Sequence, residues 1–312
     1  MTYRALGDAT VELIEQAGLD VSIVHDRVIV ALDEDLAYGP DITTRATVPH
    51  DQSVEATISA RAAGVVAGLP VVHATFDLVI GAGRWRYLAP ASDGGAVSRG
   101  DTVLEVVAPA SDLLTAERTA LNFLCHLSGV ATLTAEWARV VRPARVRDTR
   151  KTHPGLRVLQ KYAVRCGGGV NHRMGLGDAA LIKDNHVVAA GGVAAAVAAV
   201  RASDPDIPLE VECDRVSQVE EALAAGASLI LLDNMSVSEM RESVHRGRSA
   251  SRDVRFEASG GLTLATAAAV AATGVDFVAV GALTHSAPVL DLGLDVHGIV
   301  TEGAHGRTST DG

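Results

Sequence analysis

Between Arg147 and His186 the sequence gathers residue types that bind anions. The stretch runs Arg147-Asp148-Thr149-Arg150-Lys151-Thr152-His153-Pro154-Gly155 and then through a short helical run. Beyond that come Cys166-Gly167-Gly168-Gly169-Val170-Asn171-His172-Arg173 and Leu181-Ile182-Lys183-Asp184-Asn185-His186. Of the chain's 27 basic residues only three are lysines, and all of them (Lys151, Lys161, Lys183) fall inside this stretch. Arginine offers a planar fork for carboxylate or phosphate, whereas lysine offers a compact, movable charge. With His172 between them, the combination describes a pocket for an anion with several oxygens. A charge run is more often a solvated face; here the charges sit among glycines and at the ends of apolar runs.

The rest of the composition sets bounds. At 312 residues and 48% hydrophobic content the chain has room for one large domain or two, with ample core. Its net charge of −11 argues against nucleic-acid or membrane-surface partners, which need a basic footprint. Three cysteines, Cys125, Cys166 and Cys213, show no metal-ligand spacing, and their odd number suits a reducing compartment. There is no apolar run of about 18 residues and no signal-peptide pattern, so a soluble, cytoplasmic protein is expected.

Several elements must position the charged stretch. Residues 1–36 carry helical spacing, and Tyr38-Gly39-Pro40-Asp41-Ile42-Thr43-Thr44 reads as a turn. From 52 to 108 the texture is that of strands: Val54, Ala56, Ile58 and Ala60 alternate, residues 63–68 read as a strand closed by glycines, and 102–107 follow the turn Ser98-Arg99-Gly100-Asp101. Hairpins with a Gly-Asp turn occur in modules that carry lipoyl or biotinyl groups, but residues 1–150 contain no lysine to carry one. Residues 111–141 form the longest helical candidate, with Ser111-Asp112 as its cap, Arg118 and Asn122 on one face, and Gly129 as a point that could divide it. Beyond it, β-rich runs at 144–148, 179–183, 208–212, 228–232, 254–258 and 276–280 alternate with helical patterns. This is the signature of βαβ units and a parallel sheet, and the lack of a dinucleotide glycine fingerprint favours a closed α/β barrel over a doubly wound sheet. After Leu294 the chain turns polar and glycine-rich.

In an α/β barrel the chemistry belongs at the C-terminal strand ends. Those ends read Asp148-Thr149-Arg150-Lys151, Lys183-Asp184-Asn185, Glu210 with Glu212, Asp233-Asn234, Glu257-Ala258-Ser259-Gly260-Gly261 and Gly281-Ala282-Leu283. Cations come first, carboxylates next, glycines last. Glu212 and Asp233 fall on neighbouring strands and could share one hard cation such as Mg²⁺, which takes its other ligands from water and phosphate; the same acids also suit loops or helix caps. The glycine turns after the last two strands could cradle a phosphate monoester, although such turns are common without a ligand. Together the three signals fit phosphoribosyl pyrophosphate and an acidic co-substrate.

The quoted motifs at 148–152, 168–173, 183–186, 210–212, 232–235 and 257–261, with Glu117-Arg118-Thr119-Ala120-Leu121-Asn122, resemble the quinolinate phosphoribosyltransferases, in order, from about Asp35 to Leu292. The resemblance implies an α/β fold with an N-terminal α/β sandwich domain and an incomplete, open α/β barrel. The domains are expected at 1–125 and 126–300, with a disordered tail over 301–312. It also implies a homodimer and the conversion of quinolinate and phosphoribosyl pyrophosphate to nicotinate mononucleotide, diphosphate and CO₂ in NAD biosynthesis. By motif, Arg150, His172, Arg173 and Lys183 would hold the quinolinate carboxylates, with Arg118 supplied by the other subunit. Lys151, Glu212 and Asp233 would be the catalytic residues serving the ribose-diphosphate and its Mg²⁺, and Ser259, Gly260 and Gly281 would take the 5′-phosphate.

Three other readings compete. Lys183 ends a barrel strand in an apolar run, as a Schiff-base lysine would; its arginine and carboxylate neighbours speak against that. A phosphoribosyltransferase for another acidic heterocycle, such as nicotinate, would release no CO₂. A non-catalytic nucleotide-binding regulator would have lost a charged site residue, and none is lost.

Overall fold

The computed structural model describes residues 3–49 and 51–300 and divides the chain into two units, Met1–Thr132 with Pro288–Gly312, and Leu133–Ala287. The expected tail over 301–312 lies outside the described residues.

The first unit opens with helices α1 (Asp8–Gln16), α2 (Val21–Asp35) and α3 (Ile42–Thr47), and Asp20 and Asp41 cap the second and third with their side chains. Strands β1 (Ser53–Ala60) and β2 (Gly64–Val65) follow. Then come helix α4 (Leu69–Val79), strands β3 (Arg86–Leu88), β4 (Ala96–Val97) and β5 (Thr102–Pro109), and helix α5 (Ala110–Val140). The alternation read in 54–60 is real: Val54, Ala56, Ile58 and Ala60 are buried on one face of β1.

Four expectations for this part need correction. Residues 63–68 are strand only at Gly64–Val65, and the apolar run that follows is α4. Every residue of α4 is buried, so there is no polar face and no helical period to read. Asp93 caps α4 by accepting from the amides of Gly68 and Leu69. The turn at 98–101 closes no hairpin, because β4 pairs with β2 whereas β5 pairs with β1 and β3. Finally, Gly129 does not divide α5, which is unbroken over its 31 residues and starts at Ala110, ahead of the expected Ser111-Asp112 cap. A Cβ on Gly129 would lie 2.0 Å from the Pro288 carbonyl oxygen and 2.9 Å from Val289 Cα. The glycine makes room for the returning chain. Gly129→Ala should therefore destabilise the protein by roughly 1–3 kcal/mol through overpacking, although alanine is the better helix former. A melting temperature equal to or above that of wild type would contradict the contact.

The second unit begins in the last turns of α5. It continues with β6 (Arg145–Arg147), α6 (Arg157–Cys166), β7 (Ala180–Ile182), α7 (Asp184–Ala190) and α8 (Val193–Ser203). Three βα repeats follow: β8 (Leu209–Cys213) with α9 (Val216–Ala224), β9 (Leu229–Asp233) with α10 (Val237–Ala250), and β10 (Arg255–Ser259) with α11 (Leu264–Ala271). Strand β11 (Phe277–Ala279) and α12 (Ala282–His285) end it. Helices α8 to α11 bury single stripes, such as Met240, Ser243, Val244 and Gly247 on α10, while the central strands β8, β9 and β10 bury consecutive residues on both faces. All six strands are parallel, in the order β6-β11-β10-β9-β8-β7. That is the cyclic order of a barrel with one seam unclosed, between β6 and β7, so the closed barrel read from the alternation gives way to an open one. At the seam the segment around Val170 lies along β6 through a single parallel bridge to Arg147.

The chain then returns to the first unit as β12 (Leu292–Val300), which pairs antiparallel with β1 and completes the sheet order β12-β1-β5-β3. By its contacts the second unit spans Leu133–Ala287. No single described helix is long and apolar enough to cross a membrane.

Candidate active site

The C-terminal strand ends of the second unit enclose a cavity of about 520 Å³. Arg150 and Lys151 reach it from the loop after β6, and His172 and Arg173 from the segment along the seam. Lys183 and Glu212 come from the ends of β7 and β8, and Asp233 from the end of β9. Ser259, Gly260 and Gly261 come from the end of β10. Two of the expected residues are not in its lining. Gly281 stands just behind, where a Cβ would meet Lys151 Cδ at 3.0 Å and His285 Nε2 at 3.3 Å. Arg118 belongs to the first unit, with its side chain 63% exposed 3.7 Å from Glu117, on a separate cavity that also includes Asn122.

The cations are crowded. Burial, and then the neighbouring Arg150 guanidinium, hold Arg173 below the ordinary arginine range. Arg150 Nε is buried with no hydrogen-bond partner, and neither Arg150 nor Lys151 has an ion-pair partner among the described residues. Two like charges held together with donors unspent make a site for an anion. Arg173 gives one N–H to the Ala179 carbonyl at 2.9 Å, which fixes its stem. The loop carrying Lys151 is held from below: Thr284 Oγ1 donates to the Lys151 carbonyl at 2.9 Å, and buried Gln160 donates to the Thr284 carbonyl at 2.7 Å.

Opposite charge begins at Glu212, whose Oε2 accepts from Lys183 Nζ at 2.5 Å. Asp233 Oδ2 accepts from Asn234 Nδ2 at 2.7 Å. Each carboxylate keeps its second oxygen without a partner among the described residues, and the two strands are paired in register, Glu212 opposite Leu231 and Cys213 opposite Leu232. Next to them, Asn234 takes a left-handed φ of 53° and Gly260 one of 93°. A Cβ on Gly260 would lie 2.2 Å from Asn234 Oδ1, so this glycine is required by its neighbour as well as by its backbone.

Sequence reasoning left Glu257 without a role, yet it lines the cavity, and Glu210 and Arg147 stand with it. Arg147 pairs with Glu257 and stacks 4.5 Å from the Phe277 ring centroid. His172 Nε2 lies 2.9 Å from Glu210 Oε2 and 3.6 Å from Glu257 Oε1. The available signal was strand alternation: Glu210 and Glu212 are two apart on β8 and so share a face. His172, Glu210 and Glu257 are close enough to suggest a metal, but the histidine is committed elsewhere. Its Nδ1 accepts from the Arg173 amide at 2.7 Å, so the proton sits on Nε2, which donates to Glu210 and has no lone pair for an ion. Burial lowers the His172 pKa and keeps the ring neutral.

Burial, then Glu210, push Glu257 up from 4.5 to about 7. A carboxyl raised in the folded state binds a proton that the unfolded chain has released. Its contribution is therefore fully present below pH 4.5 and is lost as pH rises to about 7. His73, held down at about 4 by burial, has the opposite sign between 4 and 6.5. The prediction accordingly concerns a difference. Between about pH 5 and about pH 7 wild type should lose more stability than Glu257→Gln, read from urea midpoints. Equal slopes would show that Glu257 holds no extra proton.

Residues 130–295 match the quinolinate phosphoribosyl transferase C-terminal domain, and residues 41–128 match the N-terminal domain of the same family. The chain is 53% identical over 274 residues to the carboxylating nicotinate-nucleotide pyrophosphorylase of Mycobacterium leprae (strain TN), covering 87% of this chain and 96% of that protein. It is 40% identical over 266 residues to a probable carboxylating nicotinate-nucleotide pyrophosphorylase of Bacillus subtilis (strain 168), covering 84% and 90%. Among solved structures, the nicotinate-nucleotide pyrophosphorylase of Francisella tularensis superposes with a TM-score of 0.84 at 37% identity, covering 89% of this chain and 98% of that one. The chain belongs to the quinolinate phosphoribosyl transferase family.

Proposed function

We propose that this protein is a carboxylating nicotinate-nucleotide pyrophosphorylase of NAD biosynthesis. It joins quinolinate to phosphoribosyl pyrophosphate and releases nicotinate mononucleotide, diphosphate and CO₂. The observation that carries the reading is the sorting of charge in one cavity: cations at the β6 and β7 ends, with a donor of Arg150 unspent, carboxylates at β8 and β9, and glycine turns at β10.

Arg150, Arg173 and Lys183 grip the two quinolinate carboxylates, the arginines by bidentate contact. His172 supports them through its bond to the Arg173 amide, since both its ring nitrogens are already engaged. Ser259, Gly260 and Gly281 take the 5′-phosphate. Lys151 meets the diphosphate, on which negative charge grows as the bond to ribose C1 breaks, and the carboxylates of Glu212 and Asp233 face the electron-poor sugar carbon. The pyridine nitrogen is a weak nucleophile, so holding it in line is the main contribution of the cationic clamp. When the bond to CO₂ breaks, its electron pair stays on the ring carbon, where the adjacent pyridinium charge stabilises it until that carbon takes a proton from solvent. Glu212 and Asp233 fit Mg²⁺, since each offers one uncommitted hard oxygen on adjacent strands. Bound there, the ion would neutralise diphosphate charge. Arg118 completes the clamp from the partner subunit of a two-fold homodimer. Charged, phosphorylated substrates and cysteines with no disulfide suit the cytoplasm.

The test is incubation with quinolinate, phosphoribosyl pyrophosphate and Mg²⁺, following mononucleotide and CO₂, with nicotinate in parallel. Product from nicotinate without CO₂, or none from quinolinate, would overturn the reading. Excess chelator should abolish turnover and leave quinolinate binding intact; undiminished turnover would remove the metal from the scheme.

A further inference from the structure

Lys161, the third lysine of the charged stretch, does not reach the cavity. It is wholly buried and paired with wholly buried Asp148. Replacing a buried ion pair with apolar residues is often neutral or stabilising, so stability alone does not account for this one. Its other bonds show what it holds. Asp148 also accepts from Asn171 Nδ2 at 2.5 Å and from the His172 amide at 2.9 Å. Lys161 Nζ donates to the His172 carbonyl at 2.9 Å, and Asn171 Nδ2 reaches the Lys161 carbonyl at 2.8 Å. Each of these bonds fastens residues 171–172 to the end of β6 or to α6. They lie at the open seam, where the ladder supplies only Val170 N–H to Val146 O at 2.9 Å and Asp148 N–H to Val170 O at 3.4 Å. Arg150 follows Asp148 by two residues and Arg173 follows His172 directly. These two guanidiniums repel, so their spacing has to be imposed by the backbone beneath them.

We propose that Asp148 and Lys161 are positioning residues: their clasp, which fastens residues 171–172 to the end of β6 and to α6, sets the separation of Arg150 and Arg173, and with it the grip on a dicarboxylate. This rests on the reading of those arginines as the quinolinate contacts. Neither clasp residue lines the cavity.

The test uses two full-length variants beside wild type. Asp148→Asn/Lys161→Met removes both buried charges at nearly constant volume, and Asn171→Ala removes one tie while leaving the ion pair whole. Quinolinate binding is measured directly, with ribose 5-phosphate as the probe of the Ser259–Gly261 end and thermal melting as the check of fold. Losing or bending one hydrogen bond to a charged group costs about 10- to 100-fold in affinity, so the double variant should lose about that much for quinolinate. Asn171→Ala should lose less, and ribose 5-phosphate should bind both within about twofold of wild type. Wild-type quinolinate affinity in either folded variant overturns the proposal, as does equal loss of both ligands, which marks a merely structural pair. If the double variant does not fold, Asn171→Ala decides. Failure of wild type itself to bind quinolinate would fell the functional reading, and the clasp with it.

Discussion

Arg173→Ala should weaken quinolinate binding by about 2–5 kcal/mol, a rise in Kd of roughly 30- to 5,000-fold. The effect is large because half-buried Arg173 is crowded by Arg150, and Asp178 and Glu210 act on its charge without forming an ion pair with it. When the anion arrives, the charge pair forms in a half-buried pocket, and truncation leaves a substrate carboxylate partly desolvated without that partner. Arg173→Lys should recover part of the loss, since it restores the charge without the planar fork. Lys183→Ala should be less selective: Lys183 is already paired with Glu212, so its removal frees a carboxylate on the proposed metal side of the cavity. Isothermal titration with quinolinate alone checks the set. Wild-type affinity in Arg173→Ala would end its assignment.

Mixing two inactive variants should restore activity if Arg118 serves a partner's site. Arg118 lies in the first unit, four residues before Asn122 on the same helix, while the cavity is lined wholly by the second unit. Arg118→Ala and Glu212→Ala are unfolded together and refolded. In a two-fold dimer with shared sites, each mixed dimer has one mouth with both defects and one with neither. About half the dimers are mixed under random pairing, so roughly a quarter of all sites recover. If Arg118 serves its own chain, every mouth keeps one defect and activity stays near zero. Mixed dimers confirmed by mass, yet inactive, would show that each site is built from a single chain.

The sequence by itself determined the repeating architecture and the polarity of the site. Strands β6 to β11 and the helices α8 to α11 were legible because each of these helices buries one stripe and each strand is a short run with apolar residues at its centre, so period and length both speak. The strand ends already carried cations, acids and glycines in that order, and the cavity lining keeps it. What remained hidden depends on partners far away in the chain. Helix α4 is buried on every side and shows no period. The polar stretch after Leu294 becomes β12 because β1 offers it a backbone edge, and backbone pairing is indifferent to side-chain pattern. Gly129 looked like a helix breaker and is a contact point for Pro288. The three lysines, alike in sequence, part company in space. Lys151 and Lys183 face the cavity, and Lys161 turns inward to Asp148, because only the folded seam brings a buried carboxylate within its reach.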